Sequence, residues 1–174
     1  SLYALDVFHI GNSLTDQSYG IADIAEGFGE EHLFGRHSIP GAPLEWLWDH
    51  RCEGFIEPKE LGSCADDILR NHGWDAVVMQ MRQRSVAQDV EDAANYLNAA
   101  YSANPDCQAY IFQEYPYPRD GNTLAGFEEV FLSTQIEPGW ATGNARFYFE
   151  VRADSLRARF PDRSMGGDLG GFRT

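Results

Sequence analysis

The sequence predicts one α/β domain with a central parallel sheet between helical layers, and three observations carry that prediction. Short apolar segments alternate along the chain with stretches whose apolar residues recur at helical spacing. The turn pairs Gly11-Asn12, Pro40-Gly41 and Asn104-Pro105 punctuate that alternation. A length of 174 residues with a hydrophobic fraction of 43% suits a single core. Strand and helix in alternation fold into parallel strands joined by right-handed crossovers, with helices on both faces.

The first strand, Leu5 to Ile10, stops at Gly11-Asn12-Ser13, and the next stretch carries Ile21, Ile24, Ala25 and Phe28 at helical spacing. A brief second strand from His37 to Ile39 ends at Pro40-Gly41. Pro43 then suits the first turn of a helix bearing Leu44, Leu47 and Trp48, with Trp46 on the opposite flank. From Trp74, the run Ala76-Val77-Val78-Met79 reads as a strand covered on both faces, hence central. Val86, Val90, Ala94, Leu97 and Tyr101 trace one helical face, which Asn104-Pro105 ends before a strand from Ala109 to Phe112. Pro116, Pro118 and Gly121 form a loop, a helix follows from Leu124 to Phe131, and a last helix runs from Ala145 to Phe160 before Pro161. The expected domain covers residues 1–164, and residues 165–174 form a glycine-rich flexible tail.

Acidic residues number 27 against 13 basic ones, a formal charge of −14 that repels nucleic acid and anionic membrane surfaces. Neutral or cationic small partners fit better. No apolar run approaches the roughly 18–20 residues of a membrane-spanning helix. The three cysteines lack CxxC spacing, which argues against a disulfide scaffold and a zinc site, although Cys52 and Cys64 are close enough to clip one loop. No histidine has a metal-ligand partner at helical or strand spacing, so neither a metal nor another cofactor is expected.

Open parallel sheets bind ligands at the carboxyl ends of their strands. Here those ends carry Gly11-Asn12-Ser13, Pro40-Gly41, Gln80 and Gln113-Glu114. A strand-to-helix turn lifts the Ser13 hydroxyl into the cleft and aims backbone amides at the same space, which suits a nucleophile with part of an oxyanion hole. Asn12 or Ser13 serves equally as a cap for the following helix. Asp16 is a first-turn carboxylate favoured by the helix dipole, and Asn12, Asp16, Glu114 and Tyr115 are the candidate substrate contacts. Tyr115 and Tyr117 suit a wall that stacks on a sugar or acyl group, or a proline-stiffened surface loop. Arg82 and Arg84 suit a substrate carboxylate or solvated loop charges equally.

Taken together, the strand ends resemble a known pattern: Ile10-Gly11-Asn12-Ser13-Leu14-Thr15 is similar to the first block of the SGNH, or GDSL-like, hydrolases, a superfamily of serine esterases. The resemblance implies a flavodoxin-like three-layer α/β/α fold, with Ser13 as catalytic nucleophile and Gly41 donating its backbone amide to the oxyanion. Val77-Val78-Met79-Gln80 resembles the branch in which glutamine replaces the third-block asparagine, so Ser13, Gly41 and Gln80 form the implied oxyanion hole. An ester of a small molecule or carbohydrate, a carbohydrate acetyl ester above all, is the implied substrate, and an exported protein the implied setting.

The family's last block, Asp-x-x-His, has no match, because the last of the five histidines is His72. Losing the base of a Ser-His pair costs several orders of magnitude in rate. The chain as given is therefore expected to be a weak or inactive esterase. Three explanations stand: a truncated or processed piece, a second chain supplying the final strand and histidine, or a non-catalytic carbohydrate-binding or interaction domain. The first two are favoured, since a whole strand and helix are missing with the histidine. An open sheet edge is then expected to recruit a second copy or a complementing chain. His37 is the least implausible substitute base, while His9 is read as a sheet-face residue.

Overall fold

The computed structural model describes residues 5–16, 20–29, 31–82, 84–114, 123–134 and 145–163. Five strands form one sheet: β1 (Val7–Gly11), β2 (Phe34–Ser38), β3 (Phe55–Glu57), β4 (Ala76–Gln80) and β5 (Gln108–Phe112), in the order β3-β2-β1-β4-β5. All pairings are parallel except β2 with β3. The helices are α1 (Gly20–Gly27), α2 (Leu44–Asp49), α3 (Ala65–Asn71), α4 (Val86–Ala103), α5 (Leu124–Phe131) and α6 (Arg146–Arg159). The architecture is a flavodoxin-like α/β/α fold.

Strand alternation decides which residues form the core. Parallel register places Phe8 beside Val77 and Ile10 beside Met79, with Ala109 and Ile111 next in line on β5. These side chains share one face, since every second residue of a strand projects the same way. They join Leu44 and Leu47 of α2, Ile68 and Leu69 of α3, Leu97 of α4 and Phe149 of α6 in one buried cluster. Each such side chain contributes about 1.5–3 kcal/mol on full burial. Gly35 is required here because a Cβ would lie 2.4 Å from Trp74 Cη2 and 2.5 Å from Phe8 Cδ2. Without a side chain at that position, fully buried Trp74 packs against the strand and donates its indole N–H to the Ile68 carbonyl at 3.2 Å.

The second strand begins three residues earlier than its sequence signal, at Phe34, because Arg36 and Ser38 face polar partners and break the apolar run. β3 and α3, between Trp48 and Trp74, are absent from the sequence reading. Three residues of β3 are too few to display alternation, and pairing with β2 holds them. Cys52 and Cys64 form a disulfide that closes the loop around β3. Cys107 is buried and free, its thiol pushed up to about 12 by burial.

The helical spacing that marked α1 is correct, yet Ile24 and Phe28 are exposed. On the sheet face away from Ala109 and Ile111, Tyr110 and Phe112 of β5 are also partly open, at 41% and 40%. Among the described residues β5 pairs on one side only, with β4. A fully buried ion pair fastens α6 to α4: Arg152 Nε donates to Asp89 Oδ2 at 2.5 Å, and Tyr148 donates to the same oxygen at 2.9 Å. Burial raises the Asp89 carboxyl pKa, against the lowering effect of Arg152. A second guanidinium nitrogen donates to the Arg84 carbonyl at 2.6 Å, pinning the loop that follows β4.

Candidate functional site

The parallel strands β1, β2, β4 and β5 end on one side of the sheet, and hydrogen bonds tie the segments after them together. Gly11 is the first requirement. A Cβ there would lie 2.0 Å from Thr15 Oγ1 and 2.7 Å from Gln80 Oε1, so only glycine lets these side chains close over the strand end. From Asn12 the backbone makes one helical turn, with the amides of Thr15 and Asp16 donating to the Asn12 carbonyl at 2.9 and 3.2 Å. The Asn12 side chain caps that turn by accepting from the Leu14 amide at 3.1 Å, while its own amide donates to the Ala42 carbonyl at 3.5 Å. Asn12 is fully buried, and its side chain joins the Ser13 turn to the Gly41 loop. Capping belongs to Asn12, and Ser13 remains exposed.

Gln80 is fully buried at the centre of this arrangement. Its Oε1 accepts from the Asn12 backbone amide at 3.2 Å and from the Thr15 hydroxyl at 2.5 Å. Since an N–H and an O–H both point at that atom, the side-chain oxygen must face the Ser13 turn and the NH2 must face away. That NH2 donates one hydrogen to Glu114 Oε1 and keeps a second. Glu114, on the segment after β5, is itself 7% exposed. Gly41 has φ +75 with open space where a Cβ would stand, so its loop follows β2 in a conformation that favours glycine. The structure thus brings together Asn12, Ser13, Gly41, Gln80 and Glu114. Tyr115 and Tyr117 lie outside the described residues, as do the 116–121 loop and the glycine-rich tail.

Asp16 stands one turn beyond Ser13, with its carboxylate held toward β2. Its Oδ1 accepts from the Ser38 hydroxyl at 2.6 Å and from Arg36 at 3.3 Å, while Arg36 Nε donates to Glu57 at 3.0 Å. Arg84 pairs with Glu45 at 2.9 Å, which links α2 to the loop after β4, and Ser85 caps α4 by accepting from the Gln88 amide. Sequence reasoning passed over Thr15, whose hydroxyl fixes Gln80, and Arg36, which joins β3 to the Ser13 turn. The signal for Thr15 was present: it is a small hydroxyl residue one turn after a strand-end glycine.

The histidines are placed elsewhere. His37 is fully buried between β2 and α4, with Nε2 3.1 Å from the Glu53 carbonyl and Nδ1 3.1 Å from the Tyr96 hydroxyl. A carbonyl only accepts, so Nε2 carries the proton and Nδ1 receives the Tyr96 O–H. Both nitrogens are committed, which leaves His37 no lone pair for Ser13. Burial lowers its pKa to about 4. His9 stacks on Phe34 at 4.8 Å and is likewise lowered to about 4, by burial first and by His32 second. His72 pairs with Asp6 at 2.7 Å, at the amino end of β1 and so opposite Ser13. His50 lies on Trp46, ring centroids 3.9 Å apart, and contacts the Trp46 carbonyl.

Among the described residues no group of three or more His, Cys, Asp or Glu side chains is arranged to hold a metal. No described helix is long and apolar enough to cross a membrane. A cavity of about 190 Å³ between α5 and α6 is lined by Phe131, Leu132, Phe147 and Glu150, and by none of the strand-end segments. No protein-family model matches the sequence, and no curated protein is significantly similar to it.

Proposed function

We propose that this chain is the nucleophile-bearing part of an SGNH-type serine ester hydrolase, with Ser13 forming the acyl-enzyme. One observation carries the reading: Ser13 is the exposed residue of a turn whose neighbours are all immobilised by one hydrogen-bond network. Such preorganisation is of little use to a cap, since Asn12 already performs that task. It is useful where a hydroxyl must meet a carbonyl carbon in fixed geometry.

In this reading the Ser13 oxygen attacks the ester carbonyl while its proton passes to a base. The carbonyl oxygen becomes an oxyanion facing the Ser13 and Gly41 backbone amides, while Gln80 braces the turn through the oxygen it presents to Asn12 and Thr15. Thr15 and Glu114 keep the Gln80 side-chain amide oriented. Collapse expels the alcohol and leaves an acyl-serine, which water then hydrolyses. The base is the part that neither His37 nor His72 supplies, because the ring nitrogens of His37 are engaged and His72 lies at the far end of the sheet. The side of β5 that pairs with no strand among the described residues, with Tyr110 and Phe112 beside it, supports completion by an added strand from a complementing segment or a second copy. The Cys52–Cys64 disulfide supports an oxidising compartment. Carbohydrate acetyl esters are the proposed substrates.

The test is chemical complementation of the base. The chain and its Ser13→Ala variant are exposed to a fluorophosphonate with and without added imidazole, and intact mass is read. An adduct that requires Ser13 and grows with imidazole is the expected outcome. A folded chain that gains no Ser13-dependent adduct under either condition refutes the hydrolase reading and leaves a carbohydrate-binding domain in its place.

A further inference from the structure

We propose that Phe55, carried by the antiparallel edge strand β3, is an apolar shelf that seats a neutral pyranose ring beside the Ser13 turn. This rests on the reading of that turn as a site and adds the chemistry of what lies next to it.

Phe55 is 51% exposed. Its ring lies over Arg36, with the guanidinium carbon 5.0 Å from the ring centroid. That guanidinium is gripped from two sides, by Asp16 at 3.3 Å and Glu57 at 3.0 Å, and its side chain is only 15% exposed. Asp16 is anchored again by Ser38 at 2.6 Å. The underside of the Phe55 ring is therefore fixed, and the disulfide from Cys52 to Cys64 encloses the same strand. Asp16 follows Ser13 by three residues of one helical turn, so the two share a side, about 5 Å apart along the turn. A contiguous surface runs from Ser13 through Asp16 and Arg36 to the aromatic ring.

The composition of this surface selects its ligand. A pyranose presents C–H groups on its ring face and hydroxyls around its rim, and here an aromatic face is flanked by two carboxylates that accept hydrogen bonds. A plain acyl chain would cover the carboxylate oxygens of Asp16 and Glu57 that Arg36 and Ser38 leave to solvent without giving them further donors, at a cost in desolvation. An anionic sugar meets both carboxylates and a chain of formal charge −14. A cationic ligand meets Arg36 directly beneath the ring. A neutral sugar residue satisfies every group present.

Backbone amide NMR of the labelled chain, titrated with xylohexaose and cellohexaose to about 10 mM, tests the shelf. The expected result is saturable shifts at Asp16, Phe55 and Glu57, weakened about tenfold by Phe55→Ala and retained by Phe55→Trp. Circular dichroism of each variant controls for folding. Absence of shifts with both neutral oligosaccharides, or equal affinity in folded Phe55→Ala, overturns the shelf. Fluorophosphonate labelling of Ser13 reads the other proposal separately: labelling without saccharide shifts removes the shelf alone, and shifts without labelling remove the hydrolase alone.

Discussion

Breaking the Cys52–Cys64 bond tests how the edge strand is held. The bond closes a loop of sequence separation 12, and chain-entropy arithmetic for that length gives about 3 kcal/mol of stabilisation, acting on the unfolded chain. Within the loop lie β3 and the Glu53 carbonyl, which accepts from His37 at 3.1 Å. In the folded protein these contacts position the loop without the crosslink, so little native-state rearrangement should offset the entropic gain. Urea unfolding of the oxidised chain and of the Cys52→Ser/Cys64→Ser variant should differ by about 3 kcal/mol, equivalent to a fall of about 6–12 °C in Tm. Buried Cys107 is too enclosed to form a substitute bond. A loss below about 1 kcal/mol would refute the reasoning, as would hydrogen exchange confined to opening of β3 while global stability stays constant. Either result would mean that the loop is already ordered in the unfolded chain, or that β3 is not cooperative with the sheet.

Three further outcomes follow from the site and its surroundings. Asn12→Ala should cost about 1–2 kcal/mol in urea unfolding because it removes a buried cap, whereas Ser13→Ala should stay within about 0.5 kcal/mol. Asp92 is buried and its pKa is raised, by desolvation first and then by Glu45, Asp89 and Asp49. Its ionised form therefore costs stability above the folded pKa, and Asp92→Asn should gain about 1 kcal/mol at neutral pH in the same assay. His9 and His37 remain neutral in the fold down to about pH 4, while the unfolded chain protonates them near 6.5. Stability should fall as pH drops through that window, by about 3 kcal/mol for each histidine at its acid end, and His37→Gln should reduce the proton uptake on unfolding by about one.

Much of the fold was legible because periodicity reports burial directly. The strands at Leu5 to Ile10 and Ala76 to Met79, and the long helix from Val86, each present enough consecutive residues for their pattern to show. Arg36 and Ser38 concealed the start of β2, since their polarity serves a network that involves Asp16 and Glu57 and has no signature in a single segment. β3 was invisible for the same reason compounded by shortness: long-range pairing and a disulfide maintain it, and neither is encoded locally. At the site, glycine, asparagine, serine and glutamine at strand ends were readable from position alone. Their connections were not. Nothing in the order of residues indicates that Gln80 turns its oxygen toward Asn12 and Thr15 and its amide toward Glu114.

That orientation has a consequence for the oxyanion. If Gln80 faced the nucleophile turn with its NH2, it would meet the Asn12 amide donor to donor and set its oxygen against the Glu114 carboxylate, and both buried hydrogen bonds would be lost at about 1–3 kcal/mol per unsatisfied group. The side chain is therefore locked, with its oxygen toward the Ser13 turn and one N–H on Glu114. Glu114 thereby determines the direction in which that N–H points, through a carboxylate that is itself almost wholly buried. The assignment of Gln80 as a donor and of Glu114 as a substrate contact are then not independent. A substrate group that drew Glu114 away would release the Gln80 amide, and the Ser13 turn would lose the support of the Gln80 oxygen at the moment of binding. On the proposed hydrolase reading, Glu114 fits a positioning residue better than a substrate contact, and substrate recognition falls to the proposed surface from Ser13 through Asp16 to Phe55.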